Sequence, residues 1–174
     1  MELKGTRVTI RPMRADDAAA YLALTQDPAV AGPAGMGRLA DLQAAQQHLK
    51  NTKDTEFAVV LNGQLIGEVG IYPRTQDPDD PVASTRELGY ALGQEYWGQG
   101  LMTEALRLVV KDLFAQGITA LWAGVFPDNR RSIAVLARLG FEYRFTAPLP
   151  AVLAHGENRA EAYFELSNEN SPQD

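Results

Sequence analysis

The chain has 174 residues, enough for one domain with a proper core, and it is 45% hydrophobic and 22% charged. A net charge of −6 leaves no basic footprint for general nucleic-acid binding, no apolar run approaches a membrane span, and no basic-then-apolar leader opens the chain, so a cytoplasmic protein without a membrane partner is expected. The absence of cysteine excludes disulfides, thiolate metal sites and a cysteine nucleophile, and the two isolated histidines, His48 and His155, make no metal cluster.

Thr6–Arg11 alternates as an opening strand that Pro12 ends. Asp16 or Asp17 caps a helix to about Thr25, which Asp27-Pro28 breaks. Ala31–Gly37, rich in Gly and Pro, reads as a flexible loop, and a second helix follows over Leu39–Lys50. Glu56–Leu61 and Gln64–Tyr72, joined by Asn62-Gly63, form a β-hairpin, because Asn-Gly supplies the positive φ of a tight turn. Pro73–Ser84 is an inserted loop, and Glu87–Leu92 is a strand. Apolar residues at Met102, Ala105, Leu106, Val109, Leu113 and Phe114 give one buried helical face, ended by Gly117. Ala120–Phe126 is a buried strand, Glu142–Phe145 another, Pro148–Asn158 a loop and Ala160–Leu166 a last strand. One domain over residues 1–167 and a polar tail over 168–174 follow.

Gly98-Gln99-Gly100 sits between the Glu87–Leu92 strand and the long helix. Two glycines there allow a tight turn that aims unpaired N–H groups outward, in line with the positive end of the helix. The product is an anion cradle for a phosphate or pyrophosphate. Neither standard nucleotide fingerprint fits, since no Gly-Lys-Ser/Thr follows and Thr103 stands where a third glycine is needed.

The run Tyr96-Trp97-Gly98-Gln99-Gly100-Leu101-Met102-Thr103-Glu104-Ala105 resembles the acetyl-CoA loop of the GNAT superfamily of N-acetyltransferases, in its RimJ/RimL-type branch of ribosomal-protein N-terminal acetyltransferases. Pro127–Phe141, which carries Asn-x-x-Ser from Asn129 and ends in Leu-Gly-Phe, is similar to a second motif of that family. The resemblance runs from about Leu3 to Leu166. It implies an α/β (α+β) fold, a single domain with a mixed, mostly antiparallel sheet and helices on both faces. It also implies acetyl-CoA as co-substrate, no metal, and an amine acceptor attacking directly in a ternary complex. A non-catalytic acyl-CoA sensor is the alternative, and monomer and homodimer both stay open.

By that resemblance, the backbone of Gly98, Gln99, Gly100, Leu101, Met102 and Thr103 holds the pyrophosphate, and Asn129 lies near the co-substrate. Tyr90, Ala91 and Leu92 pair with its pantetheine arm where the strand splays from its neighbour, and their N–H groups are the oxyanion donors. Gly89 permits a bulge there. Trp97 and Gln99 depart from the family's more polar or basic residues, Met102 replaces a small one, and Leu136 stands where many members carry a tyrosine acid. Ser132 is the substitute donor to the departing thiolate. Glu87 is the candidate general base and Glu68 its rival. An α-amine, pKa about 7.7–8.0, is more readily neutral than a lysine near 10.4, so a weak base suits a protein N-terminus, with small amines also open.

Overall fold

The computed structural model describes residues 1–74, 84–149 and 160–168. Eight strands form one sheet in the order β1-β2-β3-β4-β5-β6-β8-β7. They are β1 (Leu3–Lys4), β2 (Val8–Pro12), β3 (Glu56–Leu61), β4 (Gln64–Pro73), β5 (Thr85–Leu92), β6 (Ala120–Val125), β7 (Glu142–Pro148) and β8 (Ala160–Ser167). The helices are α1 (Ala18–Gln26), α2 (Pro28–Ala34), α3 (Leu42–Asn51), α4 (Leu101–Ala115) and α5 (Arg130–Arg138). Every neighbouring pair runs antiparallel except β5 and β6, which α4 joins by a crossover. The parts of the expected Pro73–Ser84 and Pro148–Asn158 loops at 75–83 and 150–159, and the tail from 169 on, lie outside the described residues.

The hairpin forms as its turn chemistry dictates, with Asn62 at φ 50° and Gly63 at φ 83°. Strand alternation then sorts the sheet into two faces. Val8, Ile10, Val59, Val69, Leu88, Leu121 and Leu166 meet Leu106, Val109 and Leu136 of α4 and α5 in the main core. The other face carries Ala58, Val60, Leu65 and Ala91 against Leu24 of α1 and Val30 of α2. Tyr21, Ala45 and Leu49 seal α1 to α3.

Three local expectations are corrected. Residues 28–34 are helical, not a loop: Asp27 accepts from the Ala29 N–H at 2.9 Å, Pro28 takes the first helical position, and Gly35 at φ 66° ends the turn. Asp17 does not cap α1 with its side chain; it accepts from Arg11 at 2.6 and 2.8 Å and from the Arg14 N–H at 2.7 Å. Gly89 makes no bulge, because β4 and β5 stay in register from Gly67–Leu92 to Pro73–Arg86. Gly89 lies opposite Gly70, and the Tyr72 ring folds over the pair; a Cβ on Gly70 would come within 2.5 Å of that ring.

The Arg11–Asp17 pair is buried on both sides, with 8% and 6% of each side chain exposed. Burial alone would push the Asp17 carboxyl up, but the hydrogen bonds from Arg11 and the Arg14 N–H hold it below its ordinary value. Removing one partner strands a buried charge, so Asp17→Ala should lower unfolding free energy by about 3–5 kcal/mol in urea titration at pH 7. A lowered native pKa contributes stability above the unfolded value, near 3.9, and loses it as pH falls. The difference between the two proteins should therefore shrink in acid below about pH 4.

Candidate active site

β5 and β6 are hydrogen-bonded neighbours only at Thr85–Ala120, Arg86–Leu121 and Glu87–Trp122. Beyond them β6 pairs with β8 alone, and β5 with β4 alone. At both ends of β5 the odd-numbered residues turn to β4: the Thr85 carbonyl accepts from the Arg74 N–H, and the Gly93 N–H donates to the Ile66 carbonyl. Alternation therefore turns the backbone of Tyr90 and Leu92 into the gap. Of the expected oxyanion donors, Tyr90 and Leu92 face the opening, whereas the Ala91 N–H faces β4. The Leu92 carbonyl is taken by the Trp97 indole N–H at 2.7 Å.

The gap opens into a cleft of about 890 Å³. Its floor is the loop from Trp97 to Gly100 and the start of α4. Gly98 and Gly100 sit at φ 74° and 75°, a region a Cβ disfavours by roughly 1–2 kcal/mol. The N–H groups of residues 98–103 donate to no acceptor among the described residues, so six unengaged donors lie at the positive end of a fifteen-residue helix. Met102 does not obstruct them; it is 5% exposed, with its side chain in the main core. The Gln99 side chain turns back onto the Glu95 carbonyl at 2.9 Å.

Residues that the sequence reading did not assign complete the site. Arg7, just before β2, clasps α4: its backbone N–H and Nε reach the Glu104 carboxylate at 2.7 and 2.8 Å, and its guanidinium donates to the Gln99 carbonyl at 2.8 Å. These hydrogen bonds outweigh desolvation and hold the Glu104 carboxyl below its ordinary value. No local signal links residues 97 positions apart. Arg107, Arg130 and Arg138 also line the cleft and bring positive charge to it. Arg131 stacks over the Trp97 ring at 3.7 Å.

Asn129 caps α5, accepting from the Ser132 N–H at 3.2 Å, and its amide reaches the Pro33 carbonyl at 3.4 Å. The Tyr90 hydroxyl, raised well above its usual pKa by burial and so kept as a donor, meets the Ser132 carbonyl at 3.2 Å. Tyr90, Asn129 and Ser132 are thus brought together on one wall of the cleft. Leu136 is fully buried in the core. Glu87 and Glu68 do not line the cleft. Glu87 is paired with Arg74 at 2.9 Å, and Arg74 lies over the Trp122 ring at 4.2 Å. Glu68 is 8% exposed, on the strand opposite Ala91.

Residues 7–142 match the family described as Acetyltransferase (GNAT) domain. A stretch of 56 residues is 46% identical to the ribosomal protein uS5-alanine N-acetyltransferase of Escherichia coli K12, covering 32% of this chain but only 29% of that enzyme. The probable N-acetyltransferase YjcK of Bacillus subtilis is 29% identical over 153 residues, 80% of this chain and 82% of that one. Among solved structures, a GNAT-family acetyltransferase from Bacillus anthracis superposes with a TM-score of 0.85 at 20% identity, over 97% of this chain and 99% of that one. RimJ of Mycobacterium smegmatis, in complex with CoA-disulfide, gives 0.81 at 21% identity, over 99% and 90%.

A side chain at position 100 meets strain before it meets anything else, since the nearest neighbour of an added Cβ is Arg7 at 3.6 Å. Gly100→Ala should cost about 1–2 kcal/mol in chemical denaturation, while the same change at Gly32, which is helical and has open space around it, should cost no stability.

Proposed function

The chain belongs to the GNAT acetyltransferases, and from that premise we propose that it transfers an acetyl group from acetyl-CoA to a primary amine, the α-amine of a protein N-terminus first among the candidates. The observation that carries this reading is the parting of β5 from β6 beside six unengaged N–H groups. The residues present fit the co-substrate. The loop and the N-terminus of α4 suit a pyrophosphate, the arginines around them suit further phosphate, and the open edge of β5 suits an amide-bearing arm.

When bound, acetyl-CoA supplies an activated acetyl carbonyl and a sulfur leaving group. The chain's own residues do the rest. The Tyr90 and Leu92 N–H groups, turned into the gap, are placed to stabilise charge on the acetyl oxygen. Ser132 donates a hydrogen bond to the departing sulfur; a thiol's pKa of about 8.5 means it needs little more. The amine must lose a proton, and the sheet offers two carboxylates on the face toward α1 and α2, Glu87 and Glu68. The name of the uS5-alanine relative favours a peptide acceptor.

Thiol release should be followed against N-terminal peptides, polyamines, amino acids and aminoglycosides. Turnover with an N-terminal peptide is expected. Tight CoA binding with no turnover for any amine would instead favour the acyl-CoA sensor. Gly100→Glu, which adds bulk and negative charge at the cradle, should abolish CoA binding in calorimetry while circular dichroism stays native. Ser132→Ala should slow turnover on the order of tenfold, the worth of one hydrogen bond.

A further inference from the structure

Five titratable side chains meet under α1 and α3, none of them among the residues that line the cleft. They are Tyr21 of α1, His48 of α3, Glu56 of β3, and Glu68 and Tyr72 of β4. The Tyr21 hydroxyl lies 2.9 Å from His48 Nε2 and 3.3 Å from a Glu56 oxygen, and His48 Nε2 lies 2.9 Å from that same oxygen. The Tyr72 hydroxyl donates to the other Glu56 oxygen at 3.2 Å. Glu56 is therefore satisfied on both sides. Glu68 is not: its Oε2 is buried without a hydrogen-bond partner. A buried carboxyl oxygen left unpaired is costly, and such a group calls for a role.

Its position supplies one. Arg11, Ala58, Glu68 and Ala91 form a row across four strands on one face of the sheet. Ala91 lines the cleft between Tyr90 and Leu92, whose N–H groups face the gap. Side chains directly opposite in a sheet have Cβ atoms about 4.5–5.5 Å apart. Residue 91 is alanine, so the side chain directly opposite Glu68 on β5 is a methyl. We propose that Glu68 takes the proton given up by the acceptor amine, and that Tyr21, Glu56 and His48 carry it to the surface. This rests on the acetyl-transfer reading. The amine nitrogen bonds to the acetyl carbon, the C–S bond breaks with its electron pair leaving on sulfur, and the nitrogen's proton goes to Glu68. Tyr21 then receives that proton as it passes its own to Glu56 or His48. The His48 side chain is 32% exposed, which gives the chain an end in water.

The charged groups around Glu68 fit the task. Arg11 of β2 is spent on Asp17, at the start of α1. Glu56 of β3 adds negative charge, and Glu87 of β5, opposite Tyr72, is held by Arg74. Burial first, then Glu56, pushes the Glu68 carboxyl up to about 8, against a smaller opposing hydrogen bond from Tyr21. That matches the α-amine range of about 7.7–8.0, where proton exchange with an amine is most useful.

The test compares unmodified protein, Glu68→Gln, Glu87→Gln and Tyr21→Phe between pH 6 and 10, with saturating acetyl-CoA and the best peptide acceptor. The ratio of unmodified to Glu68→Gln turnover cancels the acceptor's own ionisation. It should climb with pH and level off above about 8, at about 10² to 10⁴, with CoA affinity unchanged. Tyr21→Phe should be slowed about tenfold, and Glu87→Gln should give a ratio that is flat with pH. Melting temperature gives a readout free of acetyl-CoA. A native carboxyl raised above its unfolded value contributes stability below that value and loses it as pH rises through about 8. The unmodified protein should therefore lose melting temperature between about pH 4.5 and 8, and Glu68→Gln should flatten that decline. A Glu68→Gln ratio flat with pH, turnover within threefold of the unmodified protein, or a matching loss of CoA affinity would overturn the proposal. Failure of the transfer reading looks different: no amine then releases thiol with the unmodified protein, and the relay falls with it.

Discussion

The parting of β5 from β6 is the constraint on which the rest of this molecule depends. A parallel pair normally runs on until both strands end, because each unpaired backbone group costs a hydrogen bond. Here the pairing stops after Glu87–Trp122, although β5 continues to Leu92 and β6 to Val125. The two strands hold apart because each has its other neighbour. β4 keeps β5 in unbroken register, and β8 does the same for β6. The main core beneath them, filled by Leu88, Leu92, Leu121 and Leu136, fixes the angle between the halves. An opening in the middle of a sheet is thus sustained by the strands outside it.

Three ties cross-link the elements around that opening. Arg7 and Glu104 fasten the glycine loop to the first strands. The Tyr90 hydroxyl joins β5 to the start of α5 across the gap. Arg131 stacked on Trp97 spans the mouth. Each tie links an element before the split to one after it, so the loop's φ values and its N–H directions are held by tertiary contacts as well as by local geometry. This is preorganisation in the sense that matters for binding an anion: donors already aimed need no further ordering.

Much of this was legible in the chain. The Asn62-Gly63 hairpin, the strand–glycine–helix junction and the buried faces of α4 and β6 follow from periodicity and turn chemistry alone. Residues 28–34 were not, because Pro, Gly and Ala in quick succession read as a loop. The helix there depends on Asp27 capping it and on Val30 finding a pocket beside Leu24 and Ala91. The Arg7–Glu104 clasp was equally hidden, since it joins residues far apart in the chain. Strand alternation gave the faces of Glu68 and Glu87 but not their partners. Arg74 over Trp122, and an unpaired Glu68 oxygen, exist only once the sheet and helices are packed.

The chain contains two tryptophans, and each lies beneath an arginine. Trp97 stands at the mouth of the cleft, under Arg131 and with its indole N–H on the Leu92 carbonyl. Trp122 stands on the other side of the split, under Arg74 and beside Glu87. Indole emission responds to nearby charge and to solvent, so the intrinsic fluorescence of this protein carries two signals, one from each side of the opening. With Trp122 replaced by phenylalanine, the remaining emission becomes an optical probe of the cleft beside the glycine loop; with Trp97 replaced, it becomes one of the opposite face. Occupancy of the two sides can then be followed separately, without label and during turnover.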